Sequence, residues 1–220
     1  PVDRPGRRVT GGPERGRVRR SLSGLAGLLG RIDPRWFAAG AAVLIGVLTV
    51  LGALERYFYP EWEWADLDSE DAVPKWLAGG FLWTAAAGWF LVAATGRART
   101  AAVWGWSLAL AWIALDEGLW IHERLERALG IDWQLLYLPV IAIAGLLGLL
   151  VLLAHRDDRP VAGLLLAGAV AWAAALLLEL IQNWGGPPID WTWYSPMMIA
   201  EETIEMIGST MFVVAALLVL

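Results

Sequence analysis

The chain has 220 residues, of which 58% are hydrophobic and 18% charged, and its formal net charge at pH 7 is -5. A soluble domain is usually about half apolar, with about a quarter of its residues charged, so this composition indicates a protein of the lipid bilayer. One domain is the natural expectation at this length. The chain has no cysteine, which excludes disulfide frameworks, thiolate catalysis and cysteine-ligated metal centres within it.

The first 30 residues are rich in arginine, glycine and proline. A polar segment of this kind cannot bury enough apolar surface to fold alone. We therefore predict a flexible basic arm over residues 1–30, followed by a transmembrane helical domain over residues 31–220.

Six apolar segments follow the arm, each close to the length of about 20 residues that crosses the hydrocarbon layer. We therefore predict an all-α fold, a polytopic membrane helix bundle of about six transmembrane helices. The predicted spans are 36–54, 76–95, 101–122, 135–154, 161–182 and 197–220.

The basic residues predict how the bundle is oriented. Cytoplasmic loops carry an excess of lysine and arginine. The basic arm, the turn with Arg97 and Arg99, and the turn with Arg156 and Arg159 all lie on one side of the six spans. We therefore expect both termini in the cytoplasm and the lipid bilayer as the partner. The abundance of alanine, glycine, leucine and arginine is typical of a GC-rich bacterial genome, so we expect the chain in the inner membrane of a bacterium. Nothing in the sequence indicates nucleic-acid binding.

Acidic side chains gather on the opposite, outer side. A charge inside the apolar layer costs on the order of 3 kcal/mol on insertion scales, so such groups usually face a partner, a cavity or a cofactor. Each helical residue turns by about 100 degrees, which places Asp116 and Glu123 on one face and Glu201 and Glu205 on another. In a regular helix Glu117 and His122 point elsewhere.

Carboxylate oxygens bind calcium, magnesium or manganese, and a histidine widens the range toward iron or zinc. We therefore expect a divalent metal ion of unspecified identity as the cofactor. Its expected ligands are Asp116, Glu123, Glu179, Glu201 and Glu205, with His122 added if its helix unwinds near the end. Two alternatives stay open: the acids hold protons as a relay, or they pair with Arg56, Arg124 and Arg127.

The sequence lacks the motifs of several other metal and nucleotide sites. Di-iron carboxylate bundles use Glu-x-x-His pairs, and the chain has none. It also lacks the His-Glu-x-x-His zinc motif and a glycine-rich phosphate loop. His122 and His155 fall on opposite sides of the predicted membrane, so they cannot ligate one haem.

Two motifs, D-E-x4-H-E at 116–123 and E-E-x2-E-M-x-G at 201–208, resemble those of a loose group of uncharacterised bacterial multipass membrane proteins. The resemblance runs from about the third to the sixth span and leaves out the basic arm and the acidic loop after the first span. It implies that these residues form a unit, and it implies no particular activity.

Three functions are compatible with these features. The first is a membrane protein whose outer carboxylate cluster binds a metal or other cation, or relays protons, for transport or metal-dependent chemistry. The second is a non-catalytic subunit of a larger membrane complex or a homo-oligomer, with tryptophans and small residues packed against partner helices. The third is a membrane enzyme that acts on a lipid or isoprenoid through paired acids. The sequence leaves open whether the protein is an enzyme.

Overall fold

The computed structural model describes residues 13–69, 71–98, 101–183 and 191–220. Within these residues the fold is all-α, as predicted. The helices are α1 (Pro13–Leu29), α2 (Pro34–Phe58), α3 (Val73–Thr95), α4 (Ala101–Leu119), α5 (Ile121–Leu129), α6 (Trp133–Ala154), α7 (Arg159–Asn183) and α8 (Trp191–Val219), with a short 3₁₀ turn at Glu63–Ala65.

Five of the described helices are long and apolar enough to cross a membrane: α2, α3, α6, α7 and α8. They indicate a multipass membrane protein. The remaining predicted span, 101–122, corresponds to α4, which ends earlier than predicted and carries Asp116 and Glu117 in its last turn. The number of spans and the cytoplasmic placement of the termini stay predictions.

Local chemistry explains where several helices begin and end. Pro34 opens α2, where a missing backbone N–H costs nothing, and the Asp33 side chain accepts a hydrogen bond of 2.8 Å from the Arg35 N–H. Asp132 caps α6 in the same way through the Gln134 N–H. Gly96 ends α3 at a φ of 78°, a left-handed backbone that glycine adopts without strain.

The centre of the bundle lies on α3 and α8, where more than half of the residues in the apolar span are buried, whereas most of the span residues of α2, α6 and α7 are not buried. Trp89 of α3 is fully buried, and its indole N–H donates to the Phe212 carbonyl of α8 at 3.2 Å. This contact stabilises the pairing of the two central helices. The exposed apolar faces of the outer helices are compatible with contact with lipid.

Residues 13–29 form a helix within the segment predicted to be a flexible arm. Leu22, Ala26 and Leu29 recur at helical spacing and pack against the core beside α3, with Ala26 buried. This apolar stripe explains the helix, because it supplies the buried surface that the arginines lack. Residues 1–12 lie outside the described part of the chain.

The helices alternate in direction and give the bundle two different ends. At the basic end the guanidinium of Arg97 donates to the Val219 carbonyl at 2.9 Å. The other end, which we call the acidic end, collects the starts of α3, α6 and α8 and the ends of α4 and α7 around one cavity.

Candidate functional site

A polar cavity of about 150 Å³ lies at the acidic end. We call it the acidic cavity, because carboxylates from several helices line it together with one lysine and one histidine. The charged and titratable residues around it are Asp68, Lys75, Glu117, His122, Glu123, Glu179, Tyr194, Glu201, Glu202 and Glu205.

A break in the chain after α4 positions the histidine. Trp120 has a φ of 54° and a ψ of 42°, a left-handed conformation that is uncommon for a bulky residue. The chain therefore turns, and α5 leaves at an angle to α4. The backbone N–H of His122 then donates to Asp116 Oδ1 at 3.0 Å, and the ring Nδ1 lies 2.8 Å from Asp116 Oδ2.

Asp116 is buried and accepts a further hydrogen bond of 2.6 Å from the Tyr137 hydroxyl. Its carboxylate orients the His122 ring, with Nδ1–H as the donor, so Nε2 is the nitrogen left for a ligand or a proton. Burial alone would lower the pKa of His122, but the hydrogen bond that its ring donates to Asp116 and the charges of Glu117 and Glu179 raise the pKa above its ordinary value.

Two acids of the cavity are held by neutral side chains. The Trp133 indole N–H donates to Glu179 Oε1 at 2.6 Å. The Gln182 side-chain amide donates to Glu201 Oε2. These partners fix the positions of the two carboxyl groups and bring no positive charge to them.

An ion pair and an unpartnered oxygen lie in the same wall. The Lys75 ammonium of α3 lies 2.7 Å from Glu202 of α8, and both side chains are largely buried. Glu205, one turn further along α8, is 7% exposed. Its Oε1 is buried and has no hydrogen-bond partner among the described residues. A buried oxygen of this kind is costly unless a proton or a cation satisfies it.

The loop before α3 contributes to the rim. Tyr194 donates to Asp68 Oδ2 at 3.5 Å, and the Arg56 guanidinium lies 5.8 Å from the centre of the Tyr194 ring. Burial raises the pKa of Asp68, and the neighbouring charge of Arg56 opposes that rise.

The structure brings Glu123, Glu179, Glu201, Glu205 and His122 to the acidic cavity. Asp116 lies behind His122 and lines the neighbouring apolar groove. Glu123 does not share a regular helix with Asp116, because the break at Trp120 separates them, and it pairs with Arg127 at 3.6 Å. Within the described residues, no three acidic or histidine side chains are grouped closely enough to hold a metal ion.

Lys75, Glu202 and Tyr137 join the network although the sequence did not single them out as ligands. A feature of the sequence could have identified Lys75, because it is the single lysine of the chain and lies on the acidic side of the predicted topology. Tyr137 gave no such signal, because a tyrosine near a helix start is ordinary at a membrane interface.

Comparison with known proteins gives a family and no activity. Neither a curated protein nor a solved structure matches the chain. A family model described as a domain of unknown function, DUF8692, matches residues 36–220. The match covers all the helices that build the acidic cavity, and the chain belongs to the DUF8692 family.

Proposed function

We propose that this membrane protein binds a cation in the acidic cavity, or carries protons through it, for transport or for metal-dependent chemistry. The observation that carries the proposal is Glu205 Oε1, which is buried at the cavity without a hydrogen-bond partner in the described chain. The same helix presents Glu201 and Glu202 beside it.

Electrostatics supports this proposal. Like-charged carboxylates in a low-dielectric site repel one another unless they bind protons or a cation. The described positive partners are few, since Lys75 is already at 2.7 Å from Glu202 and His122 is engaged by Asp116. A cation or exchanged protons would offset the excess negative charge.

The cation need not be a metal held directly by the protein. A divalent metal prefers several oxygen ligands at once, and the described side chains would have to approach one another further to supply three. Protons, a hydrated ion or an organic cation need no such convergence. A metal remains part of the proposal through His122 Nε2, Glu179 and Glu201, which line the same cavity.

The test compares the wild-type protein with the Glu201→Gln/Glu205→Gln double variant, purified from the native membrane in mild detergent. A Glu61→Gln/Glu63→Gln variant is the matched control, since it removes two exposed acids of the same end that do not line the cavity. Metal content is measured by elemental analysis, and proton release on adding cations is measured with a pH indicator.

We expect bound metal, or cation-dependent proton release, in the wild type and the control, and its loss in the cavity variant. Glu179→Gln should behave like the cavity variant while still inserting into the membrane. Equal metal content and equal proton release in all four proteins would overturn the proposal. A constant set of co-purifying chains, with neither metal nor proton release, would favour the accessory-subunit alternative.

A further inference from the structure

An apolar groove runs beside the acidic cavity, between α4, α6 and α7. Its volume is about 330 Å³, and its walls are almost entirely apolar, with Leu110, Ile141 and Leu165 among them. Its lining residues on α6 run from Trp133 to Leu152, a length of about 28 Å at 1.5 Å per residue. The groove therefore crosses most of a hydrocarbon layer about 30 Å thick.

The groove and the acidic cavity meet at shared walls. Glu117, His122, Trp133, Trp172 and Leu176 line both of them. The groove is therefore polar at the end that adjoins the acidic cavity, where the Asp116–His122 pair lies. Along its sides, Leu149 and Leu166 are about half exposed, which leaves the groove open to lipid.

The charge and the aromatic walls of the cavity specify the head group of a groove ligand. Carboxylates would repel a phosphate or sulfate head group and attract a positive one. Trp133, Trp172 and Tyr194 also line the cavity, and aromatic faces attract ammonium groups, quaternary ones included. The unpartnered oxygen of Glu205 offers a further contact for a cation.

We propose that the two spaces together bind one long-chain amphiphile with an amine or quaternary ammonium head. The head lies in the acidic cavity and the single alkyl chain lies in the groove. This inference rests on the proposed function and names the cation as an organic one that enters from the membrane.

The test uses tetradecyltrimethylammonium as the probe, below its micelle concentration, with the full-length protein in a neutral detergent. Tetramethylammonium supplies the head without the chain, and tetradecyl sulfate supplies the chain with the opposite charge. Binding of each is measured by native mass spectrometry and by competition.

Two glycine variants separate the groove from the rest of the bundle. A Cβ at Gly145, which lines the groove, would meet no atom within 4 Å, so Gly145→Leu adds a side chain at the groove wall without a clash at its Cβ. Gly163→Leu is the matched control, because its Cβ is equally unhindered and Gly163 does not line the groove.

We expect tetradecyltrimethylammonium to bind the wild type and Gly163→Leu equally, and Gly145→Leu about tenfold more weakly because the leucine occupies the place of the chain. Tetramethylammonium should bind all three alike, and Glu201→Gln/Glu205→Gln should bind neither cation.

This inference would be overturned if tetradecyltrimethylammonium bound Gly145→Leu as tightly as the wild type. It would also be overturned if tetradecyl sulfate bound the wild type as tightly as tetradecyltrimethylammonium does. If tetramethylammonium and metal still bind through Glu201 and Glu205, the proposed function survives that result. No cation binding of any kind would overturn both.

Discussion

At the scale of single residues, one backbone angle assembles part of the site. The left-handed conformation of Trp120 costs about 1–2 kcal/mol for a residue with a side chain, and it turns the chain so that His122 meets Asp116. The indole also packs near the Arg124 guanidinium, 5.9 Å from the ring centre. The hydrogen bonds of His122 with Asp116 offset the strain.

Replacing Trp120 tests this account. Glycine adopts a positive φ freely, so Trp120→Gly should keep the His122 contact and its raised pKa, whereas the β-branched Trp120→Val should lose both because it resists this conformation. The His122 titration by NMR in detergent micelles distinguishes the two. An unchanged titration in Trp120→Val would contradict the role of the break.

Asp116→Asn should lower the pKa of His122, because the burial of the ring remains while the negative charge that raises its pKa is lost. Because the pKa of His122 is raised in the folded protein, its protonation adds to the free energy of unfolding. This stabilisation is complete below the ordinary histidine pKa and is lost as the pH rises through the raised pKa. In Asp116→Asn the free energy of unfolding should no longer fall with pH in this way. Titration of His122 together with thermal unfolding across pH measures both effects, and the His155 signals at the basic end should not change between the proteins.

At the scale of helices, the pairing of α7 with α8 carries the acids. Gly168 and Gly208 allow the two backbones to approach closely: a Cβ at Gly168 would lie 2.6 Å from the Phe212 ring, and a Cβ at Gly208 would lie 2.8 Å from the Trp172 ring. Small residues at such crossings are typical of membrane helix pairs. This packing sets the distance between Glu179 on one helix and Glu201 on the other.

Gly168→Val should separate α7 from α8 and destabilise the protein by about 1–3 kcal/mol, the usual cost of overpacking. Gly163→Val on the same helix is the control, since its Cβ would be unhindered. Thermal unfolding in detergent and cation binding should both weaken in the first variant and stay near wild type in the second. Equal stability of the two variants would show that the crossing tolerates a side chain.

The Lys75–Glu202 ion pair links α3 to α8 within the same end. Lys75→Met leaves Glu202 buried without its ammonium partner, which should cost about 3 kcal/mol. Adding Glu202→Gln removes the uncompensated charge, so the double variant should recover part of the loss. A double-mutant cycle on the free energy of unfolding measures the coupling, and additive losses would show that the two side chains act independently.

At the scale of the whole molecule, the bundle has an acidic end and a basic end, and this asymmetry predicts its orientation.

Single-cysteine labelling tests this orientation. Because the chain has no cysteine, each introduced cysteine is the single thiol that a maleimide can label. With a membrane-impermeant maleimide on intact cells, Glu63→Cys and Arg127→Cys should react, and Asp157→Cys should react only after permeabilisation. All three positions are exposed. Opposite accessibility of Glu63→Cys and Arg127→Cys would mean that the connection through α4 crosses the membrane differently and that the number of spans is not six.

The amino-acid sequence by itself determined the helical class and most of the helix positions, because apolar runs long enough for the bilayer are a local property. It also determined that acids would gather at one end, since Glu179, Glu201 and Glu205 fall at helix ends that alternation places together. Only the tertiary structure decided which side chains meet. The left-handed Trp120, the Tyr137 hydroxyl on Asp116, the Lys75–Glu202 pair and the apolar groove all depend on how neighbouring helices rotate and approach. Those rotations are set by contacts between residues far apart in the chain, such as Gly168 with Phe212, which no local pattern records.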